Sequence, residues 1–579
     1  MTLDLVIANG DVYDGLGHVP VRADVGVAGG RVVAVGDLSR ASGVRRIDAR
    51  GLAVCPGFVD VHTHADFTLV RPDHPRLLEP MLRQGVTTVV GGNCGVSMAP
   101  IGQGEARTGQ MAFYDFFLGA APDGDLPWTT FGGMLDTMER QGTLLNVGVL
   151  APHSILRMIV MGDRNEVARG TDLAALERLA SDCLEQGALG LSTGLQYFPG
   201  MYSDGDELLA LGRVVRRHGG VFTAHLRSYL STTLPQAIDE VLEVGRRAEV
   251  PVQLSHLFWI PVTPGPLAPL MHAATRALSR AYRHVPLDLP VDAGAKPLLE
   301  RVARHQAQGY PVGLDAMPTA AGFTHLIALF PPWLIGGNRD AVLARLADPA
   351  PRRRIRASIE GGSLAWPHRE GDSWSLNLLK VLGWGAAWVM AVTSEKNQPL
   401  CGRSFVDIAR ERGQHPFDVM CDLLVEEQGR VLVYETGTSP DDPFVELALR
   451  ATLLHPSVSI VTDAILMGYG QPSHLFHDGF PRFLGGYARD RGLLPLREAI
   501  RKCTSLPASQ LQLRDRGTLV KGSHADVVVF DPATIASRST VADPGRRPEG
   551  VRFVLVNGHV VVSPEGFDGS NLAGQVIRG

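Results

Sequence analysis

Along most of the chain, short uninterrupted apolar runs alternate with longer amphipathic ones. TLLNVGVLA is followed by DLAALERLASDCLEQG, ALGLSTGL by DELLALGRVVRRHGG, and VFTAHLRS by TLPQAIDEVLEVGRRAEV before PVQLSHLF. Fully apolar strands separated by segments of helical period are the pattern of parallel βα units whose sheet is covered on both faces. Seven or eight such units over roughly 450 residues predict an α/β fold of the (β/α)8 TIM-like barrel type, with a doubly wound open sheet as the rival. The two ends of the chain read differently. LVIANGDVYDG, ADVGVAGGRVVAVGD and RRIDARG at the start, and HADVVVFDP and VRFVLVNGHVVVSP at the close, are short strands punctuated by Gly and Asp turns. Neither end suffices for a core of its own, so the two are expected to pair into one small β-sandwich domain. The predicted organisation is residues 1–56 and 516–579 as the two parts of that domain, around a barrel at 57–515. An insertion is expected around 259–296, a stretch rich in Pro, Ala and His.

Composition narrows the functional classes. A chain of 579 residues, 45% hydrophobic, has ample material for a large core, which excludes disorder as its main state. Lys and Arg total 55 against 60 for Asp and Glu, so no basic field exists to attract nucleic acid. The opening MTLDLVIANGDVYDG lacks a basic leader, and no apolar run approaches the roughly 18 residues of a membrane span. A cytoplasmic protein with no membrane or nucleic-acid partner is expected; a homo-oligomer is compatible with the sequence. Six scattered cysteines form no disulfide framework and suit a reducing compartment.

Candidate chemistry gathers at strand ends. FVDV runs into His62-Thr63-His64, VFTAH ends on His225, PVQLSH on His256, and PSVSIVTD on Asp463. Each alone has a bland reading: a solvated pair, a hydrogen-bonded structural histidine, a helix-capping aspartate. A barrel brings successive strand ends to one mouth, and four imidazoles with a carboxylate there point to a metal site.

GFVDVHTHAD, GGNCGVSMAP, GLSTGLQYFPG, AHLRS, SIVTDA and the tail RKCTSLPASQLQLRDRGTLVKGSHADVVVFDP resemble, in order and over essentially the whole chain, the amidohydrolase superfamily. Within it they resemble the N-acyl-D-amino-acid deacylases (D-aminoacylases). The only lysines are Lys296, Lys380, Lys396, Lys502 and Lys521, so no carbamylated lysine can bridge metals between His64 and His225 as in many amidohydrolases. The resemblance implies instead a cysteine ligand, Cys94; its bland reading is a small buried thiol. It implies a tight zinc site from Cys94, His225 and His256, and a weaker or absent second site from His62, His64 and Asp463. Zinc would activate water for attack on an amide, with Asp463 as general base.

Departures from the family pattern bear on substrate. Where the family reads S-H-H-K, with the Lys contacting the substrate carboxylate, this chain has Ser255-His256-Leu257-Phe258. Where an H-P-R motif supplies a second anchor, Ser473 and His474 fall about in place of the Arg. Thr319 and Phe323 replace a usual Tyr and Ser. Tyr197 matches the family's tyrosine, and Arg227 is a candidate anion contact with an alternative reading as a salt-bridge partner. His153 also matches, for support of the site or for packing. The implied activity is zinc-dependent hydrolysis of an N-acyl C–N bond in a less acidic, more apolar substrate. Ring opening of a lactam or cyclic imide, or deamination, is the alternative on the same scaffold. A non-catalytic binder and a glycoside hydrolase fit the imidazole-rich set poorly.

Overall fold

The computed structural model describes residues 3–41, 45–115, 126–262, 267–285, 289–335, 339–366, 373–465 and 472–579. At its centre are eight parallel strands: β1 (Phe58–Asp60), β2 (Val86–Gly91), β3 (Asn146–Val149), β4 (Gly190–Gly194), β5 (Val221–His225), β6 (Val252–Leu254), β7 (Val312–Ala316) and β8 (Val458–Ile460). β1 pairs with β2 and β2 with β3. The short extension of β3, Ala151–Pro152, pairs with β4, and pairing continues through β5, β6 and β7 to β8. The ring closes just beyond β1 and β8, where the Asp463 N–H donates to His62 O at 3.0 Å and the His64 N–H to Ala464 O at 2.9 Å. This is the expected barrel rather than an open sheet. Its strands are buried on both faces, as their apolar runs require.

The covering helices follow their sequence pattern. In Leu234–Ala248 the buried positions Leu234, Ala237, Ile238, Val241, Leu242, Gly245 and Ala248 keep the three- and four-residue spacing of one helical face. Gly205–Arg217 begins at Asp204, whose carboxylate accepts the Glu207 N–H at 3.1 Å, and ends on Arg216 and Arg217, matching the helix dipole at both ends.

The two chain ends meet in one nine-stranded sheet, where Ala53–Pro56 pairs antiparallel with Val527–Phe530. Strand Leu5–Val12 joins its parts, pairing with Val21–Ala28, Arg45–Asp48 and Ala53–Pro56. Leu5, Ile7, Val25, Val27, Val527, Val529 and Leu555 form a core separate from the barrel's. A bulge between Ile7 and Gly10 lets this strand serve several neighbours, and a Cβ at Gly10 would lie 2.4 Å from Val54 Cγ2.

Within the expected insertion at 259–296, helix Ala268–Tyr282 is formed, while 263–266 and 286–288 lie outside the described residues. A larger insertion, not foreseen from the sequence, occupies 317–457 between β7 and β8. It carries an antiparallel sheet, Gly322–His325 against Leu432–Glu435 against Ala387–Ala391, that roofs the C-terminal mouth of the barrel.

Candidate metal centre and substrate cavity

Cys94, His62, His64, His225, His256 and Asp463 all converge at that mouth, each buried. Cys94 is central: its Sγ lies 3.3 Å from His62 Nε2, 3.5 Å from His225 Nδ1 and 3.7 Å from His256 Nε2. Asp463 Oδ1 is 3.5 Å from both His62 Nε2 and His64 Nε2. These contacts form overlapping candidate groups, with Cys94, His225 and His256 in one, and His62, His256 and Asp463 in another.

The GGNCG segment explains how a thiol reaches this position. Gly92 and Gly95, at φ of 75° each, flank Cys94 at φ 53°, and a Cβ at Gly92 would lie 2.3 Å from Leu150 O. Asn93 ties the turn to the barrel wall, donating to Val61 O, Thr63 O and Val90 O at 3.0–3.3 Å. Opposite, Gly194 makes room, since a Cβ there would lie 2.2 Å from Cys94 O. His256 (φ 34°) and Asp463 (φ 50°) share the left-handed backbone of Cys94. Such conformations cost about 1–3 kcal/mol each and persist where surrounding contacts impose them. At His256 that contact is Asp315, whose Oδ1 accepts the His256 N–H at 2.5 Å while Oδ2 accepts from Gln253 at 2.8 Å.

Hydrogen bonds on the far side of the rings decide which nitrogens are bare. Tyr229 Oη accepts the Leu226 N–H at 3.0 Å and donates to Ser255 O at 3.3 Å, so toward His256 Nδ1, 3.0 Å away, it accepts. That places the proton on Nδ1 and leaves Nε2 free, facing Cys94. Gln196 Oε1 lies 3.1 Å from His225 Nε2 and accepts its proton, leaving Nδ1 bare toward the same sulfur. Metal-ligating histidines are held in this way. Burial opposes ionisation of Cys94, but the attraction of the neighbouring His62, the largest opposing cause, helps to outweigh it and hold the thiol well below its usual range. Burial, and then the neighbouring His256, bring His225 down to about 4, so its ring is neutral at pH 7.

The donor set fits zinc. Tetrahedral Zn–S and Zn–N bonds of ordinary length place the sulfur about 3.6 Å from each nitrogen. The distances of 3.5 and 3.7 Å from Cys94 Sγ to His225 and His256 bracket that value.

A cavity of about 790 Å³, counting the part open to solvent, stands over the cluster. Tyr197, Phe258 and Phe323 line it as expected from the sequence, with Gln196, Met317, Thr324, His325, Leu376, Glu435 and Ile465. Among its described lining residues there is no Lys or Arg. Three sequence expectations are corrected. Arg227 is fully buried beneath the strand end, where its guanidinium donates to Glu240 at 2.8 and 3.1 Å, to Met201 O and to Ser203 O, so it is not an anion contact in the cavity. Ser473 and His474 begin the helix His474–Pro481 and do not line the cavity. His474 packs beside Tyr434 at 6.1 Å between ring centroids, and burial takes its pKa down to about 3, so it carries no charge for an anion. Thr319 is buried and accepts the Ala321 N–H at 3.3 Å. His153 bonds Glu207 at 2.9 Å in a buried ion-pair cluster with Arg157.

Four residues went unread in the sequence. Asp315 is the penultimate residue of the apolar run VGLDA and was accessible to much the same strand-end reasoning as Asp463. Gln196 adjoins Tyr197, and Tyr229 follows His225 by four. Glu435 closes the apolar VLVYE, and burial pushes its carboxyl up to about 7, opposed in part by His256.

An amidohydrolase family model matches residues 45–321 and 433–562, leaving out most of the inserted roof. The chain is 32% identical over 575 residues to a D-aminoacylase of Alcaligenes xylosoxydans xylosoxydans, covering 99% of this chain and 97% of that one. An N-acyl-D-glutamate deacylase of the same organism is 32% identical over 560 residues, covering 96% and 93%. The structure resembles that of the N-acyl-D-glutamate deacylase of Bordetella bronchiseptica, solved with zinc and a phosphonate mimic of the tetrahedral intermediate; the TM-score is 0.73 at 27% identity over the full length of both chains. Among the described residues no helix is long and apolar enough to cross a membrane.

Proposed function

Because the chain belongs to the amidohydrolase family, in its D-aminoacylase branch, we propose that it is a zinc-dependent hydrolase of an N-acyl C–N bond whose substrate is less acidic and more apolar than an N-acyl-D-amino acid. The observation that carries the reading is the thiol of Cys94 between the bare nitrogens of His225 and His256 at tetrahedral spacing. Those three residues would hold the tight ion, and His62, His64 and Asp463 would provide for a weaker second. When bound, zinc lowers the pKa of a water toward about 7 and polarises the scissile carbonyl.

The chain's own groups do the rest. Asp463 Oδ1 is buried and, among the described residues, is approached only at 3.5 Å by His62 Nε2 and His64 Nε2 without a formed hydrogen bond, so it is placed to take a proton from the attacking water and return it to the leaving nitrogen. Tyr197, whose hydroxyl burial keeps well above the usual tyrosine range, remains a neutral donor at the cavity wall. Phe258, stacked on Tyr229 at 4.4 Å and 7°, and Phe323 supply apolar surface where, among the described lining residues, a carboxylate would find no Lys or Arg. The six unpaired cysteines support a cytoplasmic setting.

The test is product analysis. Zinc-loaded protein should split neutral N-acyl amides into acid and amine, and Asp463→Ala should keep the tight zinc while losing at least about a hundredfold in kcat. A single hydrated product would favour ring opening, and loss of the tight zinc in Asp463→Ala would remove the base assignment.

A further inference from the structure

Glu435 is the one cavity carboxylate that the proposed reaction does not use. It ends the central strand of the roof, and its cross-strand neighbours are Gly322 on one side and Ala387 on the other, neither able to cover it. A Cβ at Gly322 would sit 3.3 Å from Glu435 Oε2. Among the described residues its carboxylate has no hydrogen-bond or ion-pair partner within the protein.

Its position is unusual in a second respect. Beyond the cavity over the metal centre lies another, of about 1120 Å³ with its open part, walled by Trp259, Ile260 and Met271 of the 259–296 insertion and by Leu378, Val445 and Leu449. The two cavities share Phe258, Gly322 and Glu435. Neither lining contains a Lys or Arg among the described residues, and the only titratable side chains besides Glu435 are Asp463, Cys94, Tyr197, His64, His225, His256 and His325 in the first and His272 in the second. A partly buried carboxylate with no protein partner carries a desolvation cost that a cationic ligand would offset. Among the described lining residues an anionic substrate would meet two carboxylates and neither a Lys nor an Arg.

We infer that Glu435 is a specificity-determining residue that receives a cationic nitrogen of the substrate, beside the scissile amide, while the second cavity takes an apolar portion. The substrate class is then an N-acyl amine bearing an ammonium or guanidinium group. This rests on the amide-hydrolase reading, so binding and turnover are measured separately.

Four probes of similar size are compared on zinc-loaded protein: N-acetyl-leucine, N-acetyl-leucinamide, the counterpart with aminomethyl in place of the carboxylate (all as both enantiomers), and β-alanyl-isobutylamide. Calorimetry should show at least one of the two cationic probes binding ten- to a hundredfold tighter than the neutral amide, with the anion weakest. Glu435→Gln, of equal size, should abolish that preference without changing affinity for the neutral probe. No cationic preference, or one that survives Glu435→Gln in a folded, zinc-bearing variant, overturns the assignment. Cationic preference without release of amine from any probe keeps Glu435 as the cation site and overturns the hydrolase reading; hydrolysis with no charge preference does the reverse.

Discussion

Tyr229→Phe isolates the contribution of ring orientation to metal binding. The substitution removes one oxygen and leaves the fully buried ring against Phe258. That oxygen accepts the His256 Nδ1 proton at 3.0 Å and the Leu226 N–H at 3.0 Å. Without it, His256 is free to adopt the other tautomer, with the proton on Nε2 facing Cys94. Outer partners of this kind are worth about 10–100-fold in metal affinity, or about 1.4–2.7 kcal/mol. The orphaned Leu226 N–H adds about 1–3 kcal/mol of lost stability, separate from the metal effect. Competition for zinc against a chromophoric chelator at pH 7 measures the first quantity, and urea denaturation of the metal-free protein the second. Zinc affinity within about twofold of wild type would refute the tautomer argument.

Two further perturbations test the cavity and the scaffold. Phe258→Lys should raise kcat/KM on N-acetyl-D-leucine at least about tenfold, and Glu435→Gln added to it should raise it further, because a lysine there is then no longer neutralised; no gain in either folded variant would count against the carboxylate argument. Glu207→Gln should destabilise the barrel by about 3 kcal/mol at pH 7, the value of holding its carboxyl near 2 instead of 4.5 against burial through His153 and Arg157. Because the folded pKa is the lower one, that stabilisation is complete above pH 4.5 and is lost as pH falls through about 2. Urea midpoints of wild type and variant should therefore converge in acid; a gap constant with pH would refute it.

The cluster of candidate ligands was legible because a strand end fixes both where a side chain lies and which way it faces: His62, His64, His225, His256 and Asp463 each follow an apolar run. Cys94 needed the family resemblance, since its place depends on a left-handed turn that periodicity does not encode. Arg227 misled for a related reason. It is two residues beyond His225 and would share its face in a continuing strand, but the strand ends at His225, and the guanidinium turns outward to Glu240 on the next helix. Ser473 and His474 were placed by counting from Asp463 through a segment one residue longer than the family's, so the count had no fixed frame. The roof stayed hidden because GFTH, AWVMA and LVYE are short apolar runs that read alike in antiparallel and parallel sheets. Glu435 was hidden with it.

The central claim is a cysteine-anchored zinc centre, and elemental analysis of the purified protein beside Cys94→Ala tests it most directly. The account predicts about one tightly held zinc per chain in the wild type and its loss from a folded Cys94→Ala variant. Zinc retained without Cys94, or no zinc in the wild type after reconstitution, would contradict it.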